Sequence, residues 1–372
     1  MSTVTLVGAF GQGNPGDEAL CAAFCEALAD HEVIVVTSDP ADTARRHRVR
    51  AVPATALSTA RTALSSDALV IGGGTIFKSL HASTGRRANA LLRNTMALVA
   101  GGRARRTKVA MIGVGADDLR GRQAQAIARW LVRHSDLLVL RDEESAAALA
   151  VAGAPAPFWI GADPAWLLAG GMADLESFPG REPTIVVALS HLAGDAAFVR
   201  NMASALAPLG DHYSVHLQPW QVGAGGRDLE LAEHLREHLS AGTKALDAPS
   251  SLRAAVASYI GVDLVVGLRF HALVAAGMAG TRFVAVAHEP KLAGLSRRLD
   301  QVSVPAHATA GVLQGAFRHA LGGPPVAAAA VAAEVAGAER TFGMLELLLS
   351  GGVADELERV GGLDLSDGEG CW

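Results

Sequence analysis

Residues 3–18 read Thr3-Val4-Thr5-Leu6-Val7-Gly8-Ala9-Phe10-Gly11-Gln12-Gly13-Asn14-Pro15-Gly16-Asp17-Glu18. An apolar run, a glycine-rich turn and the acidic opening of a helix follow directly on one another. The β-branched and apolar residues predict a strand over Thr3–Ala9. A helix is expected over Asp17–Ala29, with two carboxylates in its first turn. The same rhythm recurs downstream. Strands are predicted at Glu32–Thr37, Ala68–Ile71, Lys108–Val114, Leu137–Leu140 and Phe158–Ile160, with helical stretches such as Asn89–Ala100 and Gln123–His134 between them. Alternation of this kind makes a mostly parallel sheet covered by helices on both faces.

A break rich in Gly and Pro follows, with Gly170, Gly171, Pro179, Gly180 and Pro183. The rhythm then restarts with strands at Thr184–Leu189, Tyr213–Leu217, Leu264–Val266 and Phe283–Val286. The expected fold is α/β, with two Rossmann-like domains of mostly parallel sheets facing a cleft, over residues 1–175 and 182–325. An Ala-rich helix over 326–350 has no strand after it and is expected to pack back across the hinge. Residues 351–372, rich in Gly and acid, read as a frayed tail. Ligands of such sheets bind where loops gather at the carboxyl ends of the strands.

Composition narrows the function. The 372 residues suffice for two α/β domains. With 50% apolar and 19% charged residues the chain is globular rather than disordered. A net charge of -5 without a basic face argues against nucleic acid as a partner. The run Arg103, Arg105, Arg106, Lys108 reads as a solvated loop before a strand. Cys21 and Cys25 lie one helical turn apart and Cys371 lies in the tail; no further ligand stands at zinc-site spacing, so these thiols read as small apolar groups and no metal is expected. The N-terminus runs straight into a strand without a signal pattern, and no apolar run approaches the ~18 residues of a membrane span. A cytoplasmic protein is expected.

Five segments carry chemistry. Gly11, Gly13 and Gly16 spell the G-x-G-x-x-G dinucleotide fingerprint, with Asp39 after the next strand. Asp17 and Glu18, however, stand where a pyrophosphate would sit, and like charges repel, which disfavours a nicotinamide enzyme. Asp17 either caps its helix or acts on a hydroxyl-bearing substrate. Gly72, Gly73 and Gly74 allow close backbone approach, and Thr75 can cap a helix behind them. Gly113-Val114-Gly115 reads as a third turn at the same sheet edge, which makes a shared cleft. Arg141 either holds an anion or braces its loop, whereas Asp142 and Ser145 suit local capping. Asp163-Pro164 is a turn signal. In Gly267-Leu268-Arg269-Phe270-His271, Arg and His alternate on an extended segment and so reach one side. Arg269 offers a planar fork to phosphate or carboxylate, His271 carries a proton, and a helix from Ala272 adds its positive end. The alternative, a snorkelling Arg with a core His, would bury both at a cost. His288-Glu289-Pro290-Lys291 supplies a second cation and proton carriers, or a solvated loop.

In this order the segments resemble the polysaccharide pyruvyl transferase family. The matching residues are Gly13-Asn14-Pro15-Gly16-Asp17-Glu18-Ala19, Gly72-Gly73-Gly74, Arg141-Asp142 with Ser145, and Asp163-Pro164-Ala165. They continue with Pro219 and Gln221 ahead of Asp228, Arg269-Phe270-His271-Ala272-Leu273, and Pro290-Lys291. The resemblance implies a GT-B-like fold and transfer of a pyruvyl group from phosphoenolpyruvate to the hydroxyls of a sugar or glycan, free or lipid-linked, as a cyclic ketal. It implies that Arg269 and His271 hold phosphoenolpyruvate with the peptide at Phe270, and that Asp17 lies near the chemistry. Lys291 is a further donor-site cation, and Gly13, Asn14, Gly16, Gly72–Gly74 and Arg141 belong to the cleft loops. Where family members carry an Arg after the first strand of the second domain, Ser190-His191 stands here; His191 meets an anion as a single donor or when protonated. Asp17 is expected to deprotonate the acceptor hydroxyl, with His271, Glu18, His288 and Glu289 as candidate acids. Phosphoenolpyruvate is a co-substrate, and neither cofactor nor metal is called for. The alternatives are a GT-B glycosyltransferase using a nucleotide sugar and an anion-binding protein without turnover.

Overall fold

Short apolar runs closed by Gly, Pro or polar residues become strands, because a strand buried on both faces needs no polar alternation. The computed structural model describes residues 1–79, 88–154, 157–176, 182–222, 227–239 and 242–352. Its first eight strands are β1 (Thr3–Val7), β2 (Glu32–Thr37), β3 (Arg50–Pro53), β4 (Ala68–Gly72), β5 (Thr75–Phe77), β6 (Lys108–Ala116), β7 (Leu137–Leu140) and β8 (Trp159–Ile160). They form one sheet in the order β3-β2-β1-β4-β6-β7-β8, with β5 also paired to β6. The remaining six are β9 (Thr184–Ala188), β10 (Ser214–Gln218), β11 (Lys244–Ala245), β12 (Leu264–Gly267), β13 (Phe283–Ala287) and β14 (Val302–Pro305). They form a second sheet in the order β11-β10-β9-β12-β13-β14, the 3-2-1-4-5-6 order of a Rossmann fold when counted from β9. Every strand pair is parallel. The order reverses between β1 and β4 and between β9 and β12, and loops at such switch points hold ligands.

The chain separates into two compact units. The first comprises Met1–Gly11, Leu20–Leu167 and the chain from Glu334; the second comprises Gln12–Ala19 and Leu168–Ala333. One segment thus departs from the linear division at 175 and 182. The loop Gln12–Ala19 groups with the second unit because Gly16 lies against His271. The helix Ala328–Ser350 crosses over at Glu334: Gly337 abuts Ala162, Thr341 Oγ1 accepts from Ala162 N, and Lys108 Nζ donates to the carbonyls of Leu348 and Leu349. Each unit has its own core, with Leu69, Ile71, Met111, Leu131 and Leu138 in the first and Ile185, Val187, Leu217, Val266 and Phe317 in the second. Pro179, Gly180 and the chain beyond 352, Cys371 included, lie outside the described residues.

Three local expectations change. Gly72–Gly74 joins β4 to β5 rather than to a helix, so Thr75 opens a strand. Gly72 and Gly73 exist to pack: a Cβ on Gly72 would lie 2.4 Å from Phe24, and one on Gly73, whose φ is +68°, would lie 2.6 Å from Leu20. Gly113 and Gly115 sit inside β6, not in a turn. The strand bulges between Ile112 and Val114, Gly113 (φ +60°) leaves room for Pro164, and Gly115 leaves room for the Arg141 guanidinium. Of the basic run, Arg103, Arg105 and the C-cap Arg106 close the helix Ala90–Arg105, where cations favour the negative helix end, and Lys108 opens β6. Among the described residues no helix is long and apolar enough to cross a membrane.

Candidate active site

The loop Gln12–Ala19 and the helix openings after β12 and β13 bring the titratable groups of the second unit together. Asn14, not Asp17, caps the first helix, Pro15–Ala27: its Oδ1 accepts from Gly16 N at 3.0 Å and its carbonyl from Glu18 N at 3.0 Å. Asp17 is therefore left over from capping, and no donor among the described residues hydrogen-bonds to its carboxylate. Burial is the largest influence on it and raises its carboxyl to about 6, with Glu18 adding to the rise while His271, Lys291 and Arg269 oppose it. A proton carrier near neutrality thus stands in the field of three basic side chains.

Arg269 is the N-cap of the helix Phe270–Met278, so His271 lies in a helical first turn rather than on an extended segment, and the helix begins two residues before the expected Ala272. Arg269 has an extended backbone and no side-chain capping bond. The ring of His271 packs edge-on to Phe270. Its Nδ1 would lie 2.1 Å from a Cβ on Gly16, so glycine is what lets the imidazole approach the backbone at Asp17. Gly16→Ala is expected to displace the His271 ring. Activity should fall by at least about tenfold with thermal stability changed little; an unaltered kcat/KM would show the contact to be incidental.

The fork of Arg269 is already engaged. Its NH2 lies 2.8 and 2.7 Å from the two carboxylate oxygens of Asp228, NH1 donates to Gln221 Oε1 at 3.3 Å, and Nε donates to the Leu189 carbonyl at 3.3 Å. That corrects the expectation of a fork open to an anion: one NH1 hydrogen remains for a ligand. Asp228 is fully buried and is the hub of the arrangement. It also accepts from His191 N, Trp220 N and Gln221 N, and its Oδ1 lies 2.8 Å from His191 Nδ1. Burial alone would raise its carboxyl, but the hydrogen bonds from His191 and Gln221 and the Arg269 charge outweigh it and hold the group far below the usual carboxylate range. An ionised Asp228 makes His191 Nδ1 a donor, which leaves Nε2 to accept, or to donate once protonated. Beside it, Ser190 Oγ is buried without a hydrogen-bond partner among the described residues.

Lys291 opens the helix Pro290–Arg298 and forms an ion pair with Glu289, so the expected second cation and one expected acid neutralise each other in part. Glu18 is buried and His288 half-buried. In the first unit, Arg141 is 3% exposed. Its Nε donates to Asp142 at 2.9 Å, NH2 to Thr75 Oγ1 at 3.1 Å, and NH1 lies 3.7 Å from Asp163. Of its two readings, bracing is the one this geometry fits, and the anion-holding role is withdrawn. Asp142 caps the helix Glu143–Val151 through Ser145 N, as its spacing with Ser145 suggests. Asp39 caps the helix Pro40–His47, which removes the ribose-binding acid of the dinucleotide reading.

Asp228 is a residue of the candidate site that sequence reasoning passed over. It entered only as part of a family pattern, although an acid opening the helix Asp228–Arg236 and aligned with Gln221 was a usable signal.

Known structures share this architecture at low identity, which speaks to fold alone. Staphylococcus aureus MnaA, in its co-structure with UDP, matches with a TM-score of 0.66 and 10% identity over 94% of this chain and 97% of that one. Anabaena Alr3699/HepE, in complex with UDP and glucose, matches at 0.60 and 12% over 94% and 100%. The UDP-GlcNAc 2-epimerase of Methanocaldococcus jannaschii, in complex with UDP-GlcNAc and UDP, matches at 0.59 and 10% over 94% and 100%. The two parallel-sheet α/β units are thus of the GT-B type. No curated protein sequence matches the chain significantly. The family pattern described as polysaccharide pyruvyl transferase matches residues 14–290, a span running from the Asp17 loop through Asp228, Arg269 and His271 to Pro290. The chain belongs to the polysaccharide pyruvyl transferase family.

Proposed function

We propose that this transferase moves the pyruvyl group of phosphoenolpyruvate onto two hydroxyls of a sugar or glycan, closing a cyclic ketal. The observation that carries the reading is Asp17: a carboxyl raised to about 6, uncommitted to capping, facing His271, Lys291 and Arg269. A group with that pKa is mostly ionised at pH 7 yet basic enough to take a hydroxyl proton.

In this scheme phosphoenolpyruvate meets Lys291, the remaining NH1 hydrogen of Arg269 and the start of the helix Phe270–Met278. His191 adds a contact when its ring is protonated. A proton is delivered to the methylene carbon, which becomes a methyl group, and positive charge develops on the carbon bearing the phosphate. The acceptor hydroxyl loses its proton to Asp17 and bonds to that carbon. The carbon–oxygen bond to phosphate breaks, and the leaving group takes the electron pair. The second hydroxyl then closes the ketal and releases its proton. His271, within the electrostatic reach of Asp17, is the best-situated acid for the first step. The cations stabilise charge on the departing phosphate, where preorganised electrostatics have their largest effect.

Unfolding in the presence of ligands tests the donor. Phosphoenolpyruvate at one hundred times its Kd should stabilise the protein by about 2.7 kcal/mol. That gain should vanish in Arg269→Ala measured against its own unliganded midpoint. Stabilisation by a uridine diphosphate sugar and not by phosphoenolpyruvate would transfer the reading to a glycosyltransferase.

A further inference from the structure

We infer that Cys21, Cys25 and His47 form a binding site for a soft divalent cation of the zinc class, in the first unit and independent of the transfer chemistry. The sequence separates His47 from the cysteines by a strand and two turns, and the fold brings it back. Cys21 and Cys25 stand at i and i+4 on the helix Pro15–Ala27, which sets both thiols on one face. His47 is the last residue of the helix Pro40–His47, which ends at Arg48 in the left-handed conformation (φ 56°). The two sulfurs and one imidazole nitrogen lie within 4.8 Å of one another. Neither cysteine is in a disulfide.

The donor set and its charge select the ion. Zinc–sulfur and zinc–nitrogen bonds of about 2.3 and 2.0 Å place tetrahedral ligands roughly 3.5–3.8 Å apart. Closing the trio around an ion therefore takes movements on the scale of a rotamer adjustment. Two thiolates and a neutral imidazole carry two negative charges, which a divalent ion cancels; a monovalent ion would leave a net charge in a site whose Cys21 is fully buried. Cys25 and His47 are half-buried, so the ion enters from their side. The nearby cations Arg45 and Arg46 are both paired with Asp42, which weakens their repulsion of a metal. Among the described residues no fourth His, Cys, Asp or Glu joins the trio, so a neutral water completes the tetrahedron. The bound ion would tie the helix behind the Asp17 loop to the helix after β2.

Cobalt(II) titration of the full chain in a Cys371→Ser background tests the site, because the tail cysteine is then removed as a ligand. One equivalent should bind with thiolate-to-cobalt charge-transfer absorption and tetrahedral ligand-field bands, be displaced by zinc, and release two protons as the thiols ionise. Cys25→Ser and His47→Gln, both at half-buried positions, should each weaken binding by at least about 100-fold while retaining the native circular dichroism spectrum. A stoichiometric cobalt site without a thiolate band would overturn the assignment, as would undiminished affinity in either variant or no binding in the Cys371→Ser protein.

Discussion

Asp17→Asn loses about 10²–10⁴-fold in kcat/KM, yet it unfolds at a higher urea concentration than the unaltered protein at pH 7. The two effects share one cause. Asp17 is raised from 3.8 to about 6, so the folded state binds its proton more tightly than the unfolded state does. Between pH 4 and 6 the folded chain holds more protons, and stability falls as the pH rises through that window. Above pH 6 the ionised carboxylate costs about 2–3 kcal/mol, from roughly two pK units at 1.36 kcal/mol each. Asn mimics the protonated form and removes that cost. Its advantage should shrink as the pH falls from 6 and disappear below about 4. The kcat/KM of the unaltered enzyme should rise through pH 6 to a plateau, and the variant should lose that limb. Equal stability at pH 7 together with an intact pH limb would show that Asp17 is neither strained nor the base.

Asp228→Asn has the opposite sign on stability. The fully buried carboxylate gathers three backbone N–H groups, His191 Nδ1 and the Arg269 NH2. An amide places a donor among donors and leaves Arg269 without a counter-charge. The cost should be about 3–5 kcal/mol, the range for breaking a buried pair from one side. Asp228 is depressed below its ordinary 3.8, so its contribution is fully present above about pH 4 and is lost as the pH falls further. The gap between variant and unaltered protein in urea should therefore be widest above pH 4 and narrow in acid. Donor binding should weaken as well, because Arg269 and His191 lose their common anchor. A variant as stable as the parent at pH 7 would mean that the hub does not hold the site together.

The apolar strands were legible because each is a run of Val, Ile and Leu closed by Gly or a polar residue. Strands β3, β5, β11 and β14 were not: β5 follows three glycines that read as a helix opening, and the others lie at sheet edges, where β3 reads Arg50-Ala51-Val52-Pro53 and β11 has only two residues. Short, polar or Pro-containing edges carry little hydrophobic signal. The helix at Phe270 was placed late because its N-cap is Arg269, with none of the Ser, Thr, Asp or Asn that announce a helix start. The residues of the site were legible as types in an order, but their commitments were not. Sequence could show that Arg269 and Lys291 are cations; only packing shows one engaged with Asp228 and the other with Glu289. In the same way the pairing of Cys21 and Cys25 was visible as spacing, while His47 arrives through tertiary structure.

NMR of phosphoenolpyruvate carrying ¹³C at the phosphate-bearing carbon, incubated with the protein and a set of glycan acceptors, follows the pyruvyl group itself. One inorganic phosphate should be released for each labelled carbon that becomes a ketal carbon on an acceptor, with turnover at least about 100-fold slower in Asp17→Asn. Phosphoenolpyruvate left intact while a uridine diphosphate sugar is consumed under the same conditions would contradict pyruvyl transfer.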